Sequence, residues 1–218
     1  MRADLHIHSE YSNDGVSTVQ QIIDTAVERG LGCVAITDHN SFEAYSVAKD
    51  NGRVIVIPGV EVSSKEGHIL AYGVDRNIPR DMSVKDTIDA IHEAGGVAFA
   101  AHPYRWWSGL GEKNVLNHDF DGVEVKNARC VKGSNRKAER LAEKVKKPIS
   151  GGSDAHTPEH IGEGYVEFIG EVSDWKDAVT LLMEGKVKIH GVDRKPTDTL
   201  KYGVKSILEW IFRGFRKM

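Results

Sequence analysis

The residues best suited to chemistry open the chain: Asp4-Leu5-His6-Ile7-His8-Ser9. His6 and His8 stand two apart in a run that alternates like a strand, and residues two apart on a strand share a face. Two imidazoles on one face make half of a metal site. Taken alone, the same pair reads equally well as polar strand residues facing water, so the rest of the sequence decides. Histidines and carboxylates recur at the ends of apolar runs: Asp14 before Gly15, Asp38-His39 after residues 33–37, Glu61 after Gly59-Val60, and His68 on the return arm of a hairpin. His102 follows residues 97–101, Glu124 lies within 122–126, and Asp154 and His156 follow residues 148–152. Nine of these can ligate metal: His6, His8, Asp14, His39, Glu61, His68, His102, Asp154 and His156. Nine are too many for one four- to six-coordinate ion, so two or three centres joined by a bridging carboxylate are expected.

These residues need elements to hold them. Strand-type runs at 3–8, 33–37, 54–57, 60–64, 68–73, 97–101, 122–126, 148–152, 166–169 and 187–190 alternate with helical patterns. Ser17 reads as an N-cap with Gln20 as its capping-box partner, ahead of a face of Val19, Ile22, Ile23 and Ala26. Ser41 is expected to cap a helix to about Asp50, Ser83 a helix carrying Val84, Ile88 and Ile91, and Ser173 a helix to Glu184. Residues 135–145 read as helical, and Lys65-Glu66-Gly67 reads as the turn of a hairpin. Alternating strands and helices with short connections favour a parallel sheet. About seven strands suggest a closed or distorted barrel, in which C-terminal strand ends converge on one mouth. No glycine-rich dinucleotide fingerprint stands where an open doubly wound sheet would carry one.

The 218 residues, 40% hydrophobic and 28% charged, suit a soluble globular domain. A net charge of −3 supplies no global basic field, so duplex nucleic-acid binding is not expected and any polyanion must be attracted locally. Cys33 and Cys130 have neither metal-ligand spacing nor a disulfide framework, which fits a reducing cytoplasm. No signal peptide is expected ahead of a site strand that begins at residue 3, and no segment reaches the ~20 apolar residues of a membrane span.

In order and in type, Asp4-Leu5-His6-Ile7-His8-Ser9, Thr37-Asp38-His39-Asn40, Gly59-Val60-Glu61, Ala101-His102-Pro103 and Gly152-Ser153-Asp154-Ala155-His156 resemble the PHP family, the polymerase and histidinol phosphatase domains. The resemblance covers residues 3 to about 170. It implies an α/β fold, a distorted (β/α)7 TIM-like barrel over residues 1–200, with a trinuclear metal cleft and phosphoester hydrolysis. By the same resemblance His6, His8, Glu61 and Asp154 would hold a first ion. Glu61, His68 and His102 would hold a second, with Glu61 bridging, and Asp14, His39 and His156 a third. Mixed N/O ligands without thiolate suit Zn, Mn or Fe. Three divalent ions against the carboxylates of Asp14, Glu61 and Asp154 leave the mouth positive, as a phosphate dianion requires. The implied nucleophile is a metal-bound hydroxide, with His6, His8, Glu61, His102, Asp154 and His156 as the catalytic set. Arg129, in a Lys126-Asn127-Ala128-Arg129 stretch that resembles the family's substrate-side loop, and Arg105 are the candidate phosphate contacts.

The expected partner is a phosphorylated small molecule, a nucleotide or an oligonucleotide end. The alternatives are an amidohydrolase-type C–N hydrolase and a non-catalytic accessory module of the same family. Asp38 is expected to orient an imidazole, Asp4 to be structural or supporting, and Glu124 to be a structural strand end. Trp106-Trp107 is expected to pack a loop rather than stack on a base. His92, His118, His160 and His190 lack motif context and read as structural. Residues 201–218 carry Val204, Ile207, Leu208, Ile211, Phe212 and Phe215 on one helical face, with Lys205, Arg213, Arg216 and Lys217 off it. This basic amphipathic helix is expected to close the domain, in preference to a peripheral membrane contact.

Overall fold

The structure is a computed structural model, and it describes residues 1–195 and Thr197. The expected helix at 201–218 lies outside the described residues. In chain order the elements are β1 (Arg2–Ile7), α1 (Val19–Glu28), β2 (Cys33–Ile36), α2 (Glu43–Ala48), β3 (Ile55–Ile57), β4 (Gly59–Ser63), β5 (His68–Tyr72), α3 (Val84–Glu93) and β6 (Val97–Ala100). They continue with α4 (Gly111–Asn117), β7 (Gly122–Asn127), α5 (Lys132–Val145), β8 (Ile149–Gly152), β9 (Gly164–Phe168), α6 (Trp175–Met183) and β10 (Val187–Gly191).

The α/β class expected from the sequence is what the chain adopts, and the backbone ladders form two mixed five-stranded sheets, β10-β9-β1-β2-β3 and β4-β5-β6-β7-β8. The ladders do not run as one continuous parallel barrel. β4 and β5 are an antiparallel hairpin about residues 64–67, as expected, and β5 also runs antiparallel to β6. β9 runs antiparallel to both β1 and β10. Besides a bridge that pairs Val131 with Arg194 beyond β7 and β10, two short seams join the sheets at strand ends. At one, Ile7 bridges Ala155, with Asp154 N–H donating to His6 O at 2.7 Å. At the other, His39 bridges Glu61, with Asn40 N–H donating to Glu61 O at 3.0 Å. Every residue in these two seams is a predicted ligand or its neighbour.

The helices form where an apolar stripe meets a cap. α1 buries Val19, Ile22, Ile23 and Ala26, but its capping box is Thr18–Gln21, one residue beyond the expected Ser17–Gln20. The Gln20 side chain bonds Asp24 instead. Ser83 caps α3 as expected. α6 is capped by Asp174, not Ser173, because the longer carboxylate reaches both Lys176 N and Asp177 N. At α2 the N-cap position falls to Phe42, which has no capping group; Ser41, the expected cap, accepts from Glu43 N–H at 3.4 Å, and the helix ends at Ala48, short of Asp50. Its Phe42 N–H is taken by Asn77 Oδ1 at 2.6 Å.

One irregularity positions the site. On β1 the step from Asp4 to Ile7 faces the shorter step from Val34 to Ile36 on β2, so β1 carries a bulge within residues 4–7. A bulge re-aims the side chains beyond it. Leu5 packs with Phe99 and Tyr72, while Ile7, two residues on, packs with Ile22 and Ile23 of α1. Strict alternation would put Asp4 beside His6. The Asp4 carboxylate accepts from the backbone N–H groups of His6 (3.3 Å), Ser153 (2.9 Å) and Gly162 (2.7 Å), tying β1 to the turns beyond β8. Burial holds its pKa up at about 6.

Candidate metal centre

All nine predicted ligands converge at the two seams. Glu61 is the hub. Its Oε2 lies 3.3 Å from His6 Nε2, 3.2 Å from His8 Nε2 and 3.2 Å from His39 Nδ1. Its Oε1 lies 2.9 Å from both His68 Nδ1 and His102 Nε2. Asp154 Oδ1 is 3.4 Å from His8 Nε2 and 3.5 Å from His156 Nδ1. Asp14 Oδ2 is 2.8 Å from His156 Nε2 and 3.7 Å from His39 Nε2. Four overlapping groups keep their donor atoms within 4.8 Å of one another: His6-His8-Glu61, His6-His102-Asp154, His39-Glu61-His68 and His8-Asp14-His39-His156.

Local backbone brings these side chains in. Gly152 lies so close to β1 that a Cβ would stand 2.4 Å from His6 Cβ, and this approach sets Asp154 beside His6. His102 (φ 25°) and Asp154 (φ 54°) both adopt left-handed backbone that non-glycine residues seldom take. Strain of this kind persists where the surroundings hold a functional side chain in place.

Two hydrogen-bonding arrangements fix imidazole tautomers. Asp38, fully buried, accepts from Ser9 N–H (2.6 Å), Ser9 O–H (2.6 Å) and Ser12 O–H (2.8 Å). Having donated to Asp38, Ser12 Oγ can only accept, and it takes His39 N–H (2.9 Å) and His8 Nδ1–H (3.1 Å). Thus Asp38 orients His8 through Ser12 rather than by contact. Glu124 is equally buried and takes His6 Nδ1–H at 2.8 Å and His102 backbone N–H at 2.7 Å. Both Nε2 atoms therefore turn lone pairs into the cluster, only 3.1 Å apart and against Glu61 Oε2. Three electron pairs so placed repel unless a cation sits among them, and this donor set fits a divalent metal. Buried His39 Nδ1, His102 Nδ1 and Asp14 Oδ1 have no hydrogen-bond partner among the described residues, as atoms awaiting a ligand would.

The electrostatics agree. Burial alone would depress His6, but Glu124, Asp154 and Glu61 hold its pKa well above the usual imidazole value. Burial is likewise overridden at His8, where Asp154 and Glu61 carry the pKa up to about 9. In turn, imidazoles and guanidiniums outweigh burial and hold Glu61 and Asp154 well below the carboxylate range. The field thus favours positive charge between the His6 and His8 Nε2 atoms. At the margins the balance reverses. Burial and Arg105 push His102 down to about 4, and burial and His8 push His156 down to about 4.

Glu124 corrects an expectation: the reading as a structural strand end missed that its carboxylate sets the His6 tautomer. The signal was present in Gly122-Val123-Glu124-Val125, one acid between apolar residues on a strand buried on both faces. Ser12 carried no such signal, and Asn127 stood out only as part of the stretch at 126–129. Asn127 donates to Asp154 (3.0 Å) and to Glu124 (3.3 Å). Arg105 bonds Asp154 and Asn127, and Arg129 bonds Asp154 and His156, so both line the 570 Å³ cleft above the cluster. Trp106 and Trp107 do not pack a loop: they are 93% and 59% exposed. His92 and His118 pair with Asp121 and Asn114 O, away from the cluster, while His160 pairs with Glu163 in a hollow that it shares with His156. His190 stacks on Tyr165. Among the described residues no helix is long and apolar enough to cross a membrane.

Comparison with known proteins gives the same picture. The PHP domain model matches residues 4–149, and a PHP-associated model matches residues 132–187. An uncharacterized protein of Methanocaldococcus jannaschii is 38% identical over 143 residues, covering 59% of this chain and 82% of its own. A phosphoribosyl 1,2-cyclic phosphate 1,2-diphosphodiesterase of Eggerthella lenta is 35% identical over 88 residues, covering 36% of this chain and 33% of that enzyme. The structure of a two-domain protein of Bacteroides vulgatus containing a predicted PHP-like metal-dependent phosphoesterase superposes with a TM-score of 0.74 at 17% identity, a likeness of fold. It covers 88% of this chain and 65% of that one, so this chain spans under two thirds of the two-domain protein and a third of the phosphodiesterase. The chain belongs to the PHP domain family.

Proposed function

We propose that this chain is a metal-dependent phosphoesterase that hydrolyses a nucleotide, an oligonucleotide end or a small phosphorylated metabolite. The observation that carries this is the facing pair of His6 and His8 Nε2 lone pairs against Glu61, a donor set that requires a cation. In the three-ion reading, His6, His8, Glu61 and Asp154 hold one ion. Glu61, His68 and His102 hold a second, and Asp14, His39 and His156 a third. β1, β2, β4, β5, β6, β7 and β8 read as a distorted seven-stranded ring around it, closed by the two seams.

Bound divalent ions would supply Lewis acidity towards phosphoryl oxygens and a water acidified towards ~7. The chain's own residues do the rest. Glu61 spans the ligand groups with both oxygens. Glu124 and the Asp38–Ser12 relay hold the Nδ1–H of His6 and His8, so that Nε2 of each is the atom turned to the ligand groups. Arg105 and Arg129 set two guanidiniums beside Asp154, where they orient phosphate oxygens and offset charge as the ester breaks. His156, held neutral at pH 7, donates its Nε2–H to Asp14 while its Nδ1 accepts from Arg129, which fixes the ring at the rim of the cluster. A C–N hydrolase of amidohydrolase type often carries a bridging carboxylated lysine, whereas here the acid within reach of five imidazoles is Glu61.

The test is to measure metal content of the purified chain and screen phosphomonoesters, phosphodiesters and 5′-labelled oligonucleotides with added Mn2+. Metal-dependent phosphate release that is lost in Asp154→Ala and His102→Ala is expected. Amide hydrolysis without phosphate release would overturn the reading.

A further inference from the structure

We propose that the outer face beside the cleft, from Trp107 across Trp106 to α5, is a binding track for single-stranded oligonucleotide, so that the substrate of this site is the end of a chain. The proposal rests on the phosphoesterase reading for what happens at the end of the track. Three hollows adjoin. The cleft above the metal ligands shares Arg105, Trp107 and Arg129 with a second hollow of about 150 Å³, which adds Trp106 and Tyr104. Tyr104 also walls a third hollow of about 270 Å³, with Lys137, Arg140 and Lys144 of α5.

The chemistry along this line changes in a definite order. Nearest the ligands are guanidiniums. Next come two indoles that no packing requirement explains, 93% and 59% exposed and with ring centroids 6.4 Å apart. Beyond them, Lys137 lies 5.8 Å over the Tyr104 ring, and the cations continue at spacings of three and four along one helix face. From Lys137 to Lys144 that face runs about 10 Å.

The acids of α5 are kept off this line. Glu139 and Glu143 line a different hollow with Lys146 and Lys147, against Val125 and Ile189, while Lys137, Arg140 and Lys144 turn towards Tyr104. The single acid on the track, Glu112, is held by Lys144 (2.8 Å) and Tyr104 O–H (3.2 Å). In a chain of net charge −3, this is a local cationic strip rather than part of a global field. Exposed aromatics for bases beside cations for the backbone are how single strands are held without sequence readout. Cations alone would suit an acidic peptide or an anionic membrane equally. The paired indoles between the cations and the cleft favour unpaired bases.

The test is binding of 5′-fluorescein-(dT)12 to the full chain by fluorescence anisotropy over a salt series, with the probe confirmed intact after each titration. Trp106→Ala is expected to weaken binding roughly fivefold to a hundredfold. Lys137→Ala/Arg140→Ala should flatten the slope of log affinity against log salt by about 1.4, at about 0.7 for each phosphate no longer neutralised. A duplex of the same length should bind more weakly, and polyglutamate should compete poorly. Unchanged affinity in both variants, equal binding of the duplex, or equal competition by polyglutamate would overturn the track. Hydrolysis of p-nitrophenyl phosphate and its bis ester, run in parallel, separates the two readings. If hydrolysis persists in a chain that does not bind (dT)12, only the track falls. If binding behaves as described without hydrolysis, only the phosphoesterase reading falls.

Discussion

The inner and outer halves of the ligand cluster are built differently. The inner half, His6, His8, Glu61, His102 and Asp154, is buried, and two of its three imidazoles are steered by carboxylates behind them: Glu124 for His6, and Asp38 through Ser12 for His8. The outer half, Asp14, His39, His68 and His156, is partly exposed. Among the described residues its imidazoles bond other members of the cluster, Arg129 or a local carbonyl. Inner donors are set before any ion arrives, whereas outer donors are set by what binds. This predicts tight ions inside and an exchangeable one at the rim.

The comparison breaks most visibly at the hub. Glu61→Gln leaves five imidazoles without their shared carboxylate, and metal polarisation is worth several kcal/mol. Activity should fall by about a thousandfold or more, with loss of more than one equivalent of metal by elemental analysis. Glu124→Gln touches no ion, yet should weaken inner metal affinity by about 10- to 100-fold in a chelator competition. Ser12→Ala, which frees the His8 tautomer without removing a charge, belongs near the lower end of that range. His39→Ala should strip only the weakest-held equivalent. If it instead removes the tightest, the division into halves is wrong.

The halves also differ in pH response. An ion entering between His6 and His8 displaces protons that the carboxylates favour there, so inner affinity should rise with pH, by about tenfold per unit for each proton displaced, and level off above about 9. Stability of the chelated protein runs the other way. The His8 pKa is raised in the folded state, so its contribution is full below the ordinary 6.5 and is lost as pH rises through about 9. Thermal melts across pH 6 to 10 check the sign.

Much of this was legible in the sequence because ligands cannot be substituted freely. His6, His8, Glu61, His102 and Asp154 ended apolar runs where no packing demand explains them. The hairpin about residues 64–67 and the α3 cap were equally plain. What was hidden depends on geometry. The β1 bulge turns the Asp4 carboxylate to backbone N–H groups, that of His6 among them, rather than to the His6 ring, although both residues fall on one face by alternation. Thr18 displaces Ser17 as a cap because two adjacent residues offer similar chemistry and only packing chooses between them. Ser12 looks like any loop serine until Asp38 takes its proton. The antiparallel β9 could not be foreseen from a strand pattern that is the same in either direction.

The central claim is that His6 and His8 present bare Nε2 atoms to one cation. Long-range 1H–15N NMR of the imidazoles, in the chelated chain and through a Zn2+ titration, tests it directly. The account predicts Nδ1–H at both residues throughout, and Nε2 resonances of both moving to metal-bound positions with the first equivalent. Retention of an Nε2–H at either residue under saturating metal, or a first equivalent taken by His39 and His156, would contradict it.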